Sequence, residues 1–174
     1  MAAGAAARPL PAGLTEAPAP SLSLADADEG GDMSTQQPIN HHDALIYTMV
    51  LASAADQNMT DAELRTIGEL VRYLPIFKDF DGERLPSVAR ACAGLLTDAN
   101  GLERVLGAIK RALPRELRET AYALACDVIA SDGKASQEAL RLLELLSERL
   151  EIDQLAAAAI ERAARVRHAT LQAH

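Results

Sequence analysis

The chain has 174 residues, a formal net charge of −8 and only 3 % aromatic residues. A chain of this length usually forms one domain, and its acidic balance argues against a general nucleic-acid or anionic-membrane binder. Two cysteines exclude a disulfide-rich secreted scaffold, and no apolar run approaches the roughly 18 residues of a membrane span. We therefore expect a soluble acidic protein with neither a nucleic-acid partner nor membrane insertion.

Residues 1–40 differ in composition from the rest of the chain. They hold five of the eight prolines, and five acids against one base. Such a segment buries too little apolar surface to offset its ordering entropy. The sequence therefore predicts a disordered Ala/Pro-rich acidic tail at 1–40 and a helical domain at 41–174. Met33 is an alternative start of the protein, which mass spectrometry of the native N-terminus would test.

Helical spacing of apolar residues dominates the remainder of the chain. No stretch alternates with period two, so we predict an all-α fold, a compact bundle of about seven helices joined by short connections. The predicted helices cover about residues 41–53, 61–74, 86–96, 102–113, 114–131, 137–150 and 153–168. In the second of these, the pattern turns Leu64, Ile67, Leu70, Val71 and Leu74 inward.

Polar residues at the predicted helix ends fit known capping patterns. Asn40 is an N-cap residue with Asp43 favourably placed in the first turn. Thr60 and Glu63 have the spacing of a capping box, in which each side chain bonds the other residue's backbone amide. Gly133 suits a helix-ending turn that needs positive φ.

Two segments separated by 76 positions resemble each other. The aligned pairs are Ala54 and Ala130, Asp56 and Asp132, Thr60 and Ser136, Leu64 and Leu140, Arg65 and Arg141, Ile67 and Leu143, and Leu70 and Leu146. We therefore predict two pseudo-repeated helix–acidic loop–helix hairpins. Asp56 and Asp132 each end a helix, where a carboxylate meets the negative end of the helix dipole. That placement indicates a nearby positive charge, either Arg65 and Arg141 or a bound cation.

These two loops carry a family resemblance. The segments are Ala55-Asp56-Gln57-Asn58-Met59-Thr60-Asp61-Ala62-Glu63 and Ser131-Asp132-Gly133-Lys134-Ala135-Ser136-Gln137-Glu138. Over roughly residues 40–150 the chain resembles the TerB-like tellurite-resistance family. The resemblance implies a cytoplasmic, stress-associated, all-helical protein with acidic clusters suggested to bind metal. Gln57 replaces the usual glycine, and Glu138 follows Asp132 by six residues whereas Glu63 follows Asp56 by seven.

Acidic residues near the two loops suggest a cation site. Hard cations such as Ca²⁺ and Mg²⁺ require several oxygen ligands. The predicted ligands are Asp56, Asp61 and Glu63 at the first loop and Asp127, Asp132 and Glu138 at the second. No EF-hand spacing is present. Capping and surface ion pairs, without any metal, are the alternative explanation of the same residues.

The sequence carries no catalytic motif. It has no Gly-rich phosphate loop, nucleophile elbow or metalloprotease spacing, and Cys92 and Cys126 fit buried packing positions. We therefore predict a protein that is not an enzyme. The basic cluster Lys110–Arg118 is interleaved with acids, so we expect ion pairs within its helices.

The last predicted helix suggests an alternative function. Its apolar residues are Leu155, Ala156, Ala159, Ile160, Ala163 and Val166. These small side chains allow another helix to approach closely. The alternative is thus a helical scaffold that binds an unidentified protein partner or forms a homo-oligomer without metal.

Overall fold

Residues 38–55, 60–131, 133 and 135–171 are described by a computed structural model. This part of the chain contains seven α-helices and no strand. The helices are α1 (His41–Ser53), α2 (Asp61–Tyr73), α3 (Leu85–Leu96), α4 (Gly101–Ala112), α5 (Arg118–Ala130), α6 (Gln137–Arg149) and α7 (Gln154–Arg167). The predicted all-α bundle is confirmed. The predicted tail and the alternative start at Met33 lie almost wholly outside the described residues and stay predictions.

Helices α1 and α5 form the centre of the bundle. Every residue from Ala44 to Ser53 is buried, and so is nearly all of Ala121–Ile129. The two helices pack against each other; α1 also contacts α2, α3, α4 and α6, and α5 also contacts α2, α6 and α7. A helix that is apolar on all sides is stable only when it is enclosed in this way. Thr48 is accommodated inside because its hydroxyl donates to the Ala44 carbonyl at 2.9 Å.

Helix α2 shows one error in the predicted core. Its buried residues are Glu63, Ile67 and Val71, which are spaced by four and define its inner face. Leu64, predicted to face inward, is 51 % exposed. Successive helical residues are rotated by about 100°, so Leu64 cannot share the direction of Glu63. The acid takes the inner position because its carboxylate closes the helix cap.

The predicted helix caps are confirmed. Asn40 Oδ1 accepts the Asp43 amide at 2.9 Å. Thr60 Oγ1 accepts the Glu63 amide at 3.2 Å, and Glu63 Oε2 accepts the Thr60 amide at 2.8 Å. Gly133 has φ of 74°, as the predicted turn requires. The capping patterns in the sequence thus correctly predicted the starts of α1 and α2 and the turn at Gly133.

The start of α5 differs from the prediction. The sequence placed it at Pro114, whereas the α-helix begins at Arg118 after a 3₁₀ turn over Arg115–Leu117. Leu113 is extended, as expected for a residue before proline. The chain therefore makes one tighter turn before the regular helix begins.

The basic cluster forms ion pairs between elements, so the predicted pairs within its helices are wrong. Lys110 Nζ lies 2.8 Å from Glu151 Oε1, and Arg118 Nη1 lies 2.5 Å from Glu151 Oε2. Glu151 joins α6 to α7 with φ of 58°, the only positive value at a non-glycine residue in the described chain. The two cations hold the pKa of Glu151 below its usual value. They therefore clamp the turn between the last two helices.

Candidate functional site

The predicted acidic residues belong to two corners of the bundle, one between α1 and α2 and one between α5 and α6. Asp56 and Asp132 lie outside the described residues. Arg65 and Arg141, predicted to neighbour them, are both exposed. The four remaining acids are described, and they have different environments.

At the first corner, Glu63 belongs to the cap of α2. It is buried, and its Oε2 accepts both the amide and the hydroxyl of Thr60, at 2.8 and 3.1 Å. Asp61, the first residue of α2, is exposed. These two hydrogen bonds of Glu63 are those of the capping role weighed in the sequence analysis.

At the second corner, Asp127 faces α7. It is 8 % exposed, and its Oδ1 accepts from Arg167 Nε at 3.1 Å and from Arg167 Nη2 at 2.5 Å. His168 Nε2 lies 3.3 Å from the same oxygen. Glu138, in the first turn of α6, is exposed. The carboxylate of Asp127 is therefore already balanced by the end of α7.

Sequence reasoning missed the partners of Asp127. Arg167 is 40 residues away, and no spacing rule links residues at that distance. A second contact of this kind joins α5 to α7, since the Tyr122 hydroxyl donates to Glu161 Oε1 at 2.8 Å. Only the packing of α7 on α5 brings these groups together.

Helices α2 and α6 correspond closely. Both their first and last residues are separated by 76 positions. Each helix begins after an N-cap residue with a hydroxyl group. Ser136 Oγ accepts the amide of Ala139, three residues later, at 3.1 Å, just as Thr60 Oγ1 accepts the amide of Glu63. The preceding acidic loops include undescribed residues, so the predicted repeat of the two loops stays a prediction.

A groove of about 420 Å³ lies beside the two corners, and we call it the corner groove. It is lined by Leu51, Ala54 and Ala55 of the α1 end, Leu96 and Leu102 of the α3–α4 corner, and Glu138, Arg141, Leu142 and Leu145 of α6. Ala55 immediately precedes Asp56 in the sequence. The groove is thus lined both by Ala55, the last described residue before the first acidic loop, and by Glu138, an exposed acid of the second corner.

The described residues alone do not form a metal centre. No group of three His, Cys, Asp or Glu side chains among them is placed to hold a metal ion.

The two cysteines are buried, as predicted. Cys92 Sγ lies 3.8 Å from the Tyr47 carbonyl oxygen, and Cys126 lies on the α7-facing side of α5. Burial raises the pKa of both thiols to about 12. Both groups are therefore protonated at neutral pH, where the thiolate required of a nucleophile is absent.

Comparison with known proteins identifies the family. The sequence model described as Tellurite resistance protein TerB matches residues 42–165, which run from the first turn of α1 into the last turn of α7. No significant match was found among curated proteins or among solved structures. Among the described helices, none combines the length and apolar character needed to cross a membrane. The match covers well over half of the sequence, and the chain belongs to the TerB tellurite-resistance family.

Proposed function

We propose that this TerB-family chain is a non-enzymatic cytoplasmic module of the stress response, and that it binds Ca²⁺ or Mg²⁺ at its acidic corners. A role in tellurite resistance is part of the proposal and follows from the family description. The proposed ligands are Asp56, Asp61 and Glu63 at the first corner, and Asp127, Asp132 and Glu138 at the second.

The corner groove is the observation that supports a ligand at this place. Ala55 and Glu138 line the same groove, and Asp56 is the next residue after Ala55. Hard cations are bound by several oxygens drawn from different parts of a chain. A cation held at this groove would draw on Glu138 of one corner and on Asp56, the sequence neighbour of Ala55, of the other.

The contacts of the described acids predict different affinities at the two corners. A cation that uses Asp127 must displace the Arg167 guanidinium, which donates twice to its Oδ1. Breaking a charge pair whose carboxylate is largely buried costs free energy that the ion must recover. At the first corner, Asp61 is exposed, and the Thr60 amide and hydroxyl that donate to Glu63 are neutral groups, so no cation has to be displaced from them. We therefore expect the first corner to bind more tightly.

Thermal unfolding followed by circular dichroism tests the cation proposal. A ligand that binds only the folded state at about 100 times its Kd stabilises that state by about 2.7 kcal/mol. We expect Ca²⁺ or Mg²⁺ to raise the Tm, and Asp56→Asn to remove most of the rise. Asp132→Asn should remove a smaller part, and Asp79→Asn, an exposed acid in another turn, should keep all of it.

Two results would contradict the cation proposal. One is a wild-type Tm that neither cation raises at millimolar concentration. The other is a rise that survives intact in both Asp56→Asn and Asp132→Asn.

The outer face of α7 supports homodimerisation as a second candidate function. Leu155 is 82 % exposed and Val166 is 62 % exposed, with Ala159 and Ala163 exposed between them. These four residues recur about every turn and form one apolar stripe. A second copy packed on this stripe would remove it from water.

Sedimentation equilibrium distinguishes this candidate from the cation module. We expect a dimer that Leu155→Glu dissociates and that chelation leaves unchanged. A monomeric wild type at high micromolar concentration would contradict it without affecting the cation proposal.

A further inference from the structure

A second groove lies between α6 and α7, on the face of α5 that both helices contact. We call it the α7 groove; it has a volume of about 350 Å³. Cys126 and Ile129 of α5 form its floor, and Leu140 and Leu143 of α6 line one wall. Small-molecule sites have volumes of about 300–1,000 Å³, whereas a helix is about 10 Å across. The groove therefore suits a small molecule better than a helical peptide.

The opposite wall, formed by α7, carries the charged groups. Glu161 accepts the hydrogen bond from Tyr122, and His168 lies beside Asp127. The Arg165 side chain also lines the groove, yet it has neither a hydrogen-bond nor an ion-pair partner within the described part of the chain. Within the described residues, this exposed guanidinium beside apolar surface therefore has no anionic partner.

The groove is lined by both polar and apolar side chains. Arg165, His168 and Thr170 lie toward the end of the chain, while Ile129, Leu140 and Leu143 form the apolar side. Leu140 is half-exposed, so a ligand placed there would remove apolar area from water. A guanidinium pairs best with a carboxylate or phosphate.

We propose that the α7 groove binds a small amphipathic anion, with its carboxylate or phosphate on Arg165 and its short apolar tail over Leu140, Leu143 and Ile129. Glu161 shares the α7 wall and repels an anion, but the Tyr122 hydrogen bond holds its carboxylate toward α5. Arg165 lies one turn further along, nearer Thr170. The head group is therefore placed at the Arg165 end. This site is separate from the acidic corners and does not depend on cation binding.

The two cysteines provide an internal reporter of occupancy. Cys126 lines the α7 groove, whereas Cys92 is enclosed between α3 and α1 and contacts the Tyr47 carbonyl. Both thiols are buried and have similarly raised pKa values. A ligand in the groove should therefore slow alkylation of Cys126 without slowing that of Cys92.

The experiment uses the full chain with octanoate and octyl phosphate, and with octanol and octylamine as matched controls, all below micellar concentration. Calorimetry measures binding, and mass spectrometry measures alkylation of each cysteine. We expect the two anions to bind and to slow Cys126 alkylation at least fivefold, with little effect at Cys92. Octylamine should not bind, and octanol should bind at least tenfold more weakly. The preferred anion identifies the head group as carboxylate or phosphate.

Three variants locate the site. Arg165→Gln should weaken anion binding at least tenfold, whereas Arg162→Gln, an exposed arginine of the same helix outside the groove, should leave it unchanged. Leu140→Gln, on the opposite wall, should weaken binding through the tail and keeps the test decisive if Arg165→Gln folds poorly.

Several outcomes would overturn the proposal. These are no binding of either anion, equal binding of octanol, equal losses in Arg165→Gln and Arg162→Gln, unaltered binding in Leu140→Gln, or equal protection of both cysteines. The last outcome would indicate general stabilisation of the fold and not an occupied groove.

Discussion

The two hairpins, α1–α2 and α5–α6, have matching second helices but place their acids differently. In the first, Glu63 is the third residue of α2 and bonds back to Thr60. In the second, the third residue of α6 is the buried Ala139, and the acid is Glu138 one position earlier. One position rotates a side chain by about 100°. That single shift converts a capping acid into an exposed acid on the corner groove.

The first helices of the two hairpins, α1 and α5, also differ in which residue type occupies an aligned position. Asp127 of α5 occupies the position that Leu51 occupies in α1, 76 residues earlier. Both side chains are buried, but Leu51 belongs to the apolar core, whereas Asp127 pairs with Arg167 at the end of α7. The same position of the sequence alignment therefore carries an apolar side chain in α1 and a charge pair in α5, according to what packs against it.

The largest effect is expected from the buried residues that the hairpins share. Ile67→Ala and Leu143→Ala each delete a side chain that is at least nine-tenths buried, so each should cost about 2–5 kcal/mol of unfolding free energy in urea. Leu64→Ala and Leu140→Ala, the half-exposed equivalents, should cost less than about 1 kcal/mol. A small loss at only one buried position would show that the hairpins are packed unequally.

The next effect concerns the charge pair found in the second hairpin alone. Asp127→Asn should cost about 1–3 kcal/mol, because it weakens hydrogen bonds from Arg167 to a largely buried carboxylate. Glu103→Gln removes the exposed pair with Arg149 and should cost about 0–1 kcal/mol. If Asp127→Asn and Glu103→Gln lowered the free energy of unfolding in urea equally, burial of Asp127 would not strengthen its charge pair.

The helix caps should give a smaller difference. Thr60→Ala breaks both directions of a capping box, whereas Ser136→Ala removes one bond. Typical cap losses are about 0.5–2 kcal/mol, and we expect Thr60→Ala toward the upper end and Ser136→Ala toward the lower. Thermal unfolding measures both losses. A larger loss of stability for Ser136→Ala than for Thr60→Ala would contradict this prediction.

The smallest effect should appear at the ends of the hairpins. Leu74 and Pro75 follow α2, whereas α6 ends at Arg149 and the turn after it contains Glu151, which lies between Lys110 and Arg118. The pKa of Glu151 is lower in the folded chain, so its pairs stabilise the fold above the unfolded-state pKa. That stabilisation is lost as pH falls through the folded-state value.

Glu151→Gln tests this pH dependence. Its Tm should be slightly below that of the wild type at pH 7, and the difference should vanish well below pH 4.5. High salt should also reduce the difference, because the pair is exposed to solvent. A gap that persists at low pH would indicate that the effect is not electrostatic.

Local rules predicted much of the fold from the sequence. The apolar period located all seven helices of the described chain, and the Asn40 and Thr60 caps followed from three-residue spacings. Leu64 was misplaced because the inner face of α2 is fixed by a capping acid, which hydrophobic periodicity does not recognise. Family membership was also predictable, because the loop motifs are contiguous in sequence.

Contacts between distant residues were not predictable. Lys110 and Glu151 are 41 residues apart, and Asp127 and Arg167 are 40 apart. These pairs exist only because α6 and α7 return to the bundle at particular angles. The same holds for the two grooves, whose walls come from three or more elements.

The enclosure of α1 has a consequence for synthesis of the protein. Ten consecutive residues of this helix are buried, yet the helices that cover them are all translated later. Its main neighbour ends at Ala130, so at roughly 5–20 residues per second the covering segment emerges about 4–15 s after α1. Until then the nascent chain exposes an apolar segment of ten residues to solvent.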